Sequence, residues 1–152
     1  MRISSKGQYA VQAIFDLAYH NEGKAAQIKD ICDRQGIPPR FLEQVFQDLK
    51  RAGFVRSKRG PQGGYSLALT PAQVRLGDIV RAIEGPVALG PEAPRGRTAR
   101  DATGVQIMRE AFAQVSEQLE ATLDGVTVAE LCARAERLGL ARRAAPRYVY
   151  AI

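Results

Sequence analysis

Three cations within four positions, Arg56, Lys58 and Arg59, run into the glycine-rich stretch Gly60-Pro61-Gln62-Gly63-Gly64. Guanidinium and ammonium groups beside backbone that carries no side chain suit phosphate oxygens or a narrow groove, where a Cβ would obstruct approach. The same glycines also serve a plain tight turn, which needs positive φ, and the two roles are compatible. A nucleotide-binding phosphate loop is excluded, because Lys58 precedes the glycines and no Gly-Lys-Ser/Thr opens a helix after them. A second set, Arg40, Glu43, Gln44, Gln47 and Lys50, recurs at helical spacing just upstream. In a major groove Arg favours guanine acceptors, Gln favours adenine and Glu accepts from the cytosine amino group. Alone, a polar stripe on an amphipathic helix is simply solvated; the hairpin that follows is what gives this one meaning.

These side chains need elements to hold them. Ser5 and Gln8 have capping-box spacing, and Val11, Ile14, Phe15 and Ala18 follow at helical steps, predicting a first helix to about Tyr19. After a polar turn from His20 to Lys24, a second helix over 27–35 gathers Ile28, Ile31 and Cys32 and stops at Gly36. Pro38-Pro39 opens a third, with Phe41, Leu42, Val45, Phe46 and Leu49 as its buried stripe, ending at Gly53. Residues 55–69 alternate as two short strands around the glycine turn, with Tyr65, Leu67 and Leu69 facing inward and Tyr65 packed under the hairpin. Thr70-Pro71 begins another helical stretch, Leu76 to Glu84, which Gly85-Pro86 halts. A helix-turn-helix followed at once by a basic β-hairpin is the outline of a winged DNA-binding domain.

The expected architecture is mainly α. A winged helix-turn-helix domain with a two-stranded β-wing occupies residues 1–85, and a Pro/Gly/Ala-rich linker occupies 86–104, mobile in part. A long dimerisation helix and a short helix fill 105–139, and a tail runs over 140–152. In the long helix Met108, Phe112, Val115, Leu119 and Leu123 form a narrow apolar seam. The seam either covers the domain's own core or pairs with a copy of itself, and a homodimer would let two recognition helices read a palindrome. Thr127 with Glu130 forms another capping box, for a helix through Leu131, Cys132, Ala135 and Leu138 that ends near Gly139.

Charge is uneven. Before Leu67 there are 11 Lys and Arg against 6 Asp and Glu, and from Leu67 onward 11 against 10, so +5 of the +6 net charge resides in the half that carries the wing. Cys32 and Cys132 are the only cysteines and neither has a second thiol at metal-ligand spacing. No metal and no cofactor are expected, and a reducing cytoplasm is the expected location. The N-terminal MRISSKG lacks the apolar core of a signal peptide. One histidine cannot complete a Ser/His/Asp set, so no catalytic residues are assigned and an enzyme is not expected.

The stretches MRISSKGQYAVQAIFDLA, GIPPRFLEQVFQDLKRAGFVRSKRGPQGGYSLA and GDIVRAIEGPV resemble the Rrf2 family of bacterial winged-helix regulators, closely so over residues 1–87. The resemblance implies a dimeric transcription factor that binds double-stranded promoter DNA. By it Ser5, Lys6 and Tyr9 lie near the phosphate backbone, Arg40, Glu43 and Gln44 enter the major groove and Arg59 probes the minor groove. Pro39, Lys50, Arg56, Lys58, Gly60, Gly63 and Gly64 complete the expected DNA face. Many relatives hold an iron-sulfur cluster on three linker cysteines, whereas residues 86–104 here contain neither Cys nor His. His20 is expected in a surface turn and Cys32 in the core; oxidation of Cys32 is a minor alternative as a switch.

The likeness is greatest to the cluster-free branch that regulates cysteine metabolism, whose terminal peptide docks in cysteine synthase (O-acetylserine thiol-lyase). On that basis Tyr148, Val149, Tyr150, Ala151 and Ile152 form a partner-binding tail, and the chain acts as a repressor of sulfur-assimilation genes. The other reading of the tail is that it folds back on its own dimer. Two further alternatives are a redox- or metal-responsive regulator of the same family and an adaptor that mainly binds a metabolic enzyme.

Overall fold

The side chain of Ser4 accepts a hydrogen bond from the Gly7 N–H at 3.1 Å and starts helix α1, Ser5–Asn21. The computed structural model describes residues 2–90 and 102–143. Five further helices follow: α2, Ile28–Gln35; α3, Pro39–Arg51; α4, Leu76–Glu84; α5, Ala102–Asp124; and α6, Val128–Arg137. Strands β1, Val55–Lys58, and β2, Gly64–Leu67, pair antiparallel with Val55 opposite Leu67 and Lys58 opposite Gly64. Gly36 ends α2 in the left-handed conformation, and the Thr127 hydroxyl accepts from the Glu130 N–H at 3.2 Å to start α6. A 3₁₀ turn over Pro71–Gln73, closed by a Thr70/Gln73 capping box, leads into α4.

Several expectations are corrected. The first cap is Ser4 rather than Ser5, because the Ser4 N–H and hydroxyl both also donate to the Glu84 carboxylate at the end of α4. Helix α1 runs two residues past Tyr19, so His20 is a buried helical residue and not part of a surface turn. Phe41 is 53% exposed and leaves the buried stripe of α3 to Leu42, Val45, Phe46 and Leu49. Leu69 lies beyond the end of β2 and is exposed, and Leu138, the C-cap of α6, is 85% exposed. Helix α3 stops at Arg51, two residues before Gly53. Helix α5 begins at Ala102, within the span expected for the linker. Of the rest of that span, Val87 is buried, the Leu89 N–H donates to the Ser116 hydroxyl at 2.9 Å, and 91–101 lie outside the described residues.

One core joins the winged elements to the chain's later part. Ile14 and Leu17 from α1, Ile31 from α2, Leu42, Phe46 and Leu49 from α3, Val55 and Leu67 from the wing and Ile79 from α4 share it. Val128 of α6 joins the same cluster, so the core does not close at Gly85. Two backbone bonds bring α6 there, from the Leu76 N–H to the Val126 carbonyl at 2.8 Å and from the Val128 N–H to the Val74 carbonyl at 2.9 Å. Helix α5 instead packs on α4, with Arg81 bridging to Asp124 at 2.6 Å and to Glu120 at 3.9 Å.

A buried ion pair fixes α1 against α2. Asp16, fully buried, accepts from Arg34 Nη2 at 2.7 Å and Nε at 3.0 Å and from Gln35 Nε2 at 2.9 Å, while Asn21 Oδ1 takes a further Arg34 bond at 3.0 Å. Bidentate geometry and this supporting amide bond offset the desolvation that burying two charges incurs. Removing one partner leaves the other charged and buried. Asp16→Ala is therefore expected to lower unfolding free energy by about 3–5 kcal/mol, read from urea denaturation.

At the far end of α1 the residues after α6 are clasped onto the helix. The Tyr19 hydroxyl donates to the Leu140 carbonyl at 2.6 Å, and the Arg142 guanidinium sits 4.8 Å above the Tyr19 ring. The Arg143 N–H donates to His20 Nδ1 at 2.9 Å. Burial pushes the His20 imidazole below its ordinary 6.5; Asp16 pulls upward, and Arg34, Arg143 and Arg142 push down again. A proton on Nδ1 would also cancel the bond from Arg143. Because the folded chain holds this proton less well than the unfolded chain, the stability is fully present above about pH 6.5 and is lost as pH falls through the lowered folded value. Denaturation midpoints should drop between about pH 7.5 and about pH 5.5, with a shallower drop in His20→Asn.

Candidate nucleic-acid interface

Helix α3 has one rotational setting. With Leu42, Val45, Phe46 and Leu49 buried, its opposite side exposes Arg40, Glu43, Gln44, Gln47 and Lys50 as a polar stripe of nearly three turns. Pro39 occupies the first helical position, where its missing N–H interrupts no intrahelical bond.

The wing is held to this helix at two points. The Tyr65 ring stacks on Phe46 with centroids 4.4 Å apart and planes at 21°, which confirms that Tyr65 lies beneath the hairpin. Lys50 Nζ donates to the Ser57 hydroxyl at 2.7 Å, tying the end of α3 to β1. A further attachment was not legible in the sequence. Ala26, between α1 and α2, exchanges two backbone hydrogen bonds of 2.8 Å with Tyr65, so β2 is paired along both edges.

The turn glycines divide by role. A Cβ on Gly64, whose φ is +137°, would lie 2.2 Å from the Ala26 carbonyl oxygen, and one on Gly63 would lie 2.3 Å from that of Lys58. Both are needed for close backbone packing, and Gly63 is buried. Gly60 alone of the three is exposed with open space where a Cβ would go. Arg56, Lys58 and Arg59 are exposed, and none of them, nor Arg40, is in an ion pair among the described residues.

The N-terminal turn of α1 lies beside α3. Lys6 Nζ is 2.5 Å from Asp48 Oδ2, and Tyr9 is half-buried with its ring 6.2 Å from that of Phe41. Lys6, then Arg51 at 3.1 Å, hold the Asp48 carboxyl below its ordinary range, with burial opposing them. Asp48 thus neutralises part of the charge on Lys6. Its place on α3 between the buried and the polar stripes, level with no partner in sequence, hid that role. Ser5 is exposed beside Lys6. Residues 148–152, expected to bind a partner, lie outside the described residues.

The two thiols are poor ligands. Burial pushes Cys32 upward, aided by the charge on Asp33, and burial likewise pushes Cys132 upward, so both stay protonated near neutrality. The described residues contain no grouping of three or more His, Cys, Asp or Glu placed to hold a metal ion. None of their helices is long and apolar enough to cross a membrane.

Comparison with known proteins agrees with this geometry. Residues 3–134 match the family described as "Rrf2: Iron-dependent Transcriptional regulator". The HTH-type transcriptional regulator IscR of Aliivibrio salmonicida is 36% identical over 135 residues, which cover 86% of this chain and 77% of that protein. A putative HTH-type regulator, ORF2 of Azotobacter vinelandii, is 34% identical over 93% of this chain and 85% of its own. Among solved structures, CymR, the global cysteine regulator of B. subtilis, superposes with a TM-score of 0.73 at 30% identity, covering 88% of this chain and 98% of CymR. T. potens IscR gives 0.72 at 34% identity, covering 94% of each chain.

The family description includes iron, and a cluster held by thiolates does not fit the residues present. The whole sequence has two cysteines and one histidine; both thiols are pushed up by burial, and His20 Nδ1 already accepts from Arg143. The matched relatives are transcriptional regulators and not enzymes. With its winged helix-turn-helix, its unpaired wing cations and a family match that runs from residue 3 to residue 134, the chain belongs to the Rrf2 family of DNA-binding transcriptional regulators.

Proposed function

We propose that the chain binds palindromic promoter DNA as a homodimer and represses transcription. In this reading α3 enters the major groove with Arg40, Glu43 and Gln44 toward base edges, and the wing tip places Arg59 at the adjacent minor groove. Ser5, Lys6, Tyr9, Lys50, Arg56 and Lys58 line the phosphates. One observation carries it: the unpaired cations of the wing and the polar stripe of α3 belong to one rigid body, joined through the Tyr65–Phe46 stack and the Lys50–Ser57 bond. The outward part of α5, with Met108, Phe112 and Val115 exposed, supports the homodimer.

The regulated genes are those of sulfur and cysteine metabolism, with cysteine synthase as a partner bound through Tyr148 to Ile152. One fact supports this choice over an iron-sulfur regulator, the lack of Cys and His in 86–104; the likeness to CymR is equalled by that to IscR. Calorimetry of the peptide RYVYAI with cysteine synthase tests the partner. Absence of heat at millimolar peptide removes it and leaves the DNA reading intact.

For DNA binding, sites selected from a random library should be palindromic, and log affinity should fall linearly with log salt. Lys58→Ala combined with Arg59→Ala should weaken binding to every sequence and reduce the salt slope by about 1–2. Arg40→Ala should instead relax preference at one position per half-site. Equal affinity of the wing double variant and the wild-type chain would remove the interface.

A further inference from the structure

We infer that Phe41 is a specificity-determining residue whose ring meets the C5-methyl group of a thymine at the margin of the major groove, once in each half of the operator. The inference rests on the placement of α3 in the major groove proposed above. It adds an apolar reader to a face otherwise made of charged and amide side chains.

Phe41 stands where an apolar side chain is not expected. It is 53% exposed, and among the described residues from 2 to 67 no other large apolar side chain is exposed. Arg40, Glu43 and Gln44, close by on α3, are exposed with it. Helical geometry fixes its bearing. At about 100° per residue, Phe41 lies roughly 60° from Gln44 and roughly 20° from Asp48 around the axis. Asp48 is paired with Lys6, so Phe41 lies on the margin of the polar stripe that borders the first turns of α1.

Tyr9 braces the ring on that side. It is half-buried against the core, and its own ring lies 6.2 Å from that of Phe41 with the planes at 59°. A tilted pair at such a separation is attractive, so the Phe41 side chain is supported from α1 while half of it remains open.

The chemistry of the groove limits what this ring can meet. Phe41 has no donor or acceptor, so it offers nothing to a phosphate oxygen or to the hydrogen-bonding atoms of a base edge. The apolar group that a major groove presents is the C5-methyl of thymine, and Phe is among the side chains that contact it. That methyl projects on the side of the base nearer its own strand's backbone. It therefore lies at the boundary between the base atoms proposed for Arg40 and Gln44 and the phosphates proposed for Lys6 and Tyr9, which is the boundary Phe41 occupies on the protein. Contact there removes apolar surface of both molecules from water.

Fluorescence anisotropy with the full chain and a selected operator tests this, each thymine being replaced in turn by deoxyuridine, which pairs identically and lacks only the methyl. At one thymine per half-site the replacement should weaken wild-type binding about fourfold, the worth of one buried methyl group. Phe41→Ala, at an exposed position, should keep wild-type thermal unfolding and bind the thymine and deoxyuridine forms of that site equally, and Phe41→Leu should keep part of the preference. Wild-type binding that no replacement weakens would overturn the inference, and so would Phe41→Ala that discriminates as the wild-type chain does; either result leaves the DNA interface standing. A wild-type chain that binds no selected duplex would overturn the interface and the inference together.

Discussion

Phe46 is the point from which the interface is built, because it faces two ways. From α3 it enters the core beside Leu42, Val45 and Leu49, and the ring of Tyr65 lies flat against it from the wing. Aromatic pairs of this kind contribute about 0.5–1.5 kcal/mol beyond the area they bury. Their geometric effect matters more here. Turning α3 by one residue, about 100°, would take the buried stripe out of the core and carry Arg40 and Gln44 off the exposed side. With Tyr65 also bonded along its backbone to Ala26, the strand pair that carries the wing cations is tied both to α3 and to the chain before α2. The ordering cost of such a surface is met in folding and does not recur at binding.

Charge is arranged around that frame. Asp16 is buried against Arg34, Asp48 is turned toward Lys6 and Arg51, and Glu84 is taken up by Ser4. Three carboxylates of the domain are thus engaged with its own groups, and among the described residues no carboxylate pairs with the wing cations. Glu43, by contrast, is exposed in the middle of the polar stripe of α3. A carboxylate on a surface that meets phosphates repels them unless a donor faces it, and in a major groove that donor is the cytosine amino group. On the proposed face, Glu43 thereby acts against wrong sequences as much as for the right one.

Features set by neighbours in sequence were legible. Gly36 as a helix stop, Thr127 as a cap, the α3 stripe from Leu42 to Leu49 and the hairpin around Gly60 to Gly64 each follow from local sterics or periodicity. What failed was decided across the fold. Two adjacent serines offer equally good caps, and Glu84, eighty positions away, selects Ser4. Nothing near His20 marks it as buried; the chain that covers it comes from Leu140 to Arg143. The Asp16–Arg34 pair joins two helices whose mutual orientation no periodicity specifies. Sequence alone lets the glycines serve both turn and ligand. Only the position of Ala26 shows that at Gly64 the absent Cβ makes room for protein backbone.

The same distinction bears on regulation. The cysteines that a thiolate-held cluster needs would be visible in sequence, and 86–104 has none; the burial that pushes the Cys32 and Cys132 thiols up could not be read there. A signal that alters DNA binding must favour one arrangement of the molecule over another by a difference in binding free energy. Among the described residues, separate parts of the chain meet at the contact of α5 with α4 and at the contact of the segment from Leu140 to Arg143 with the end of α1. Both are anchored by hydrogen-bonded charges at the edge of the core, and both adjoin helices that carry the winged domain. The two helices concerned, α1 and α4, both pack directly on α3.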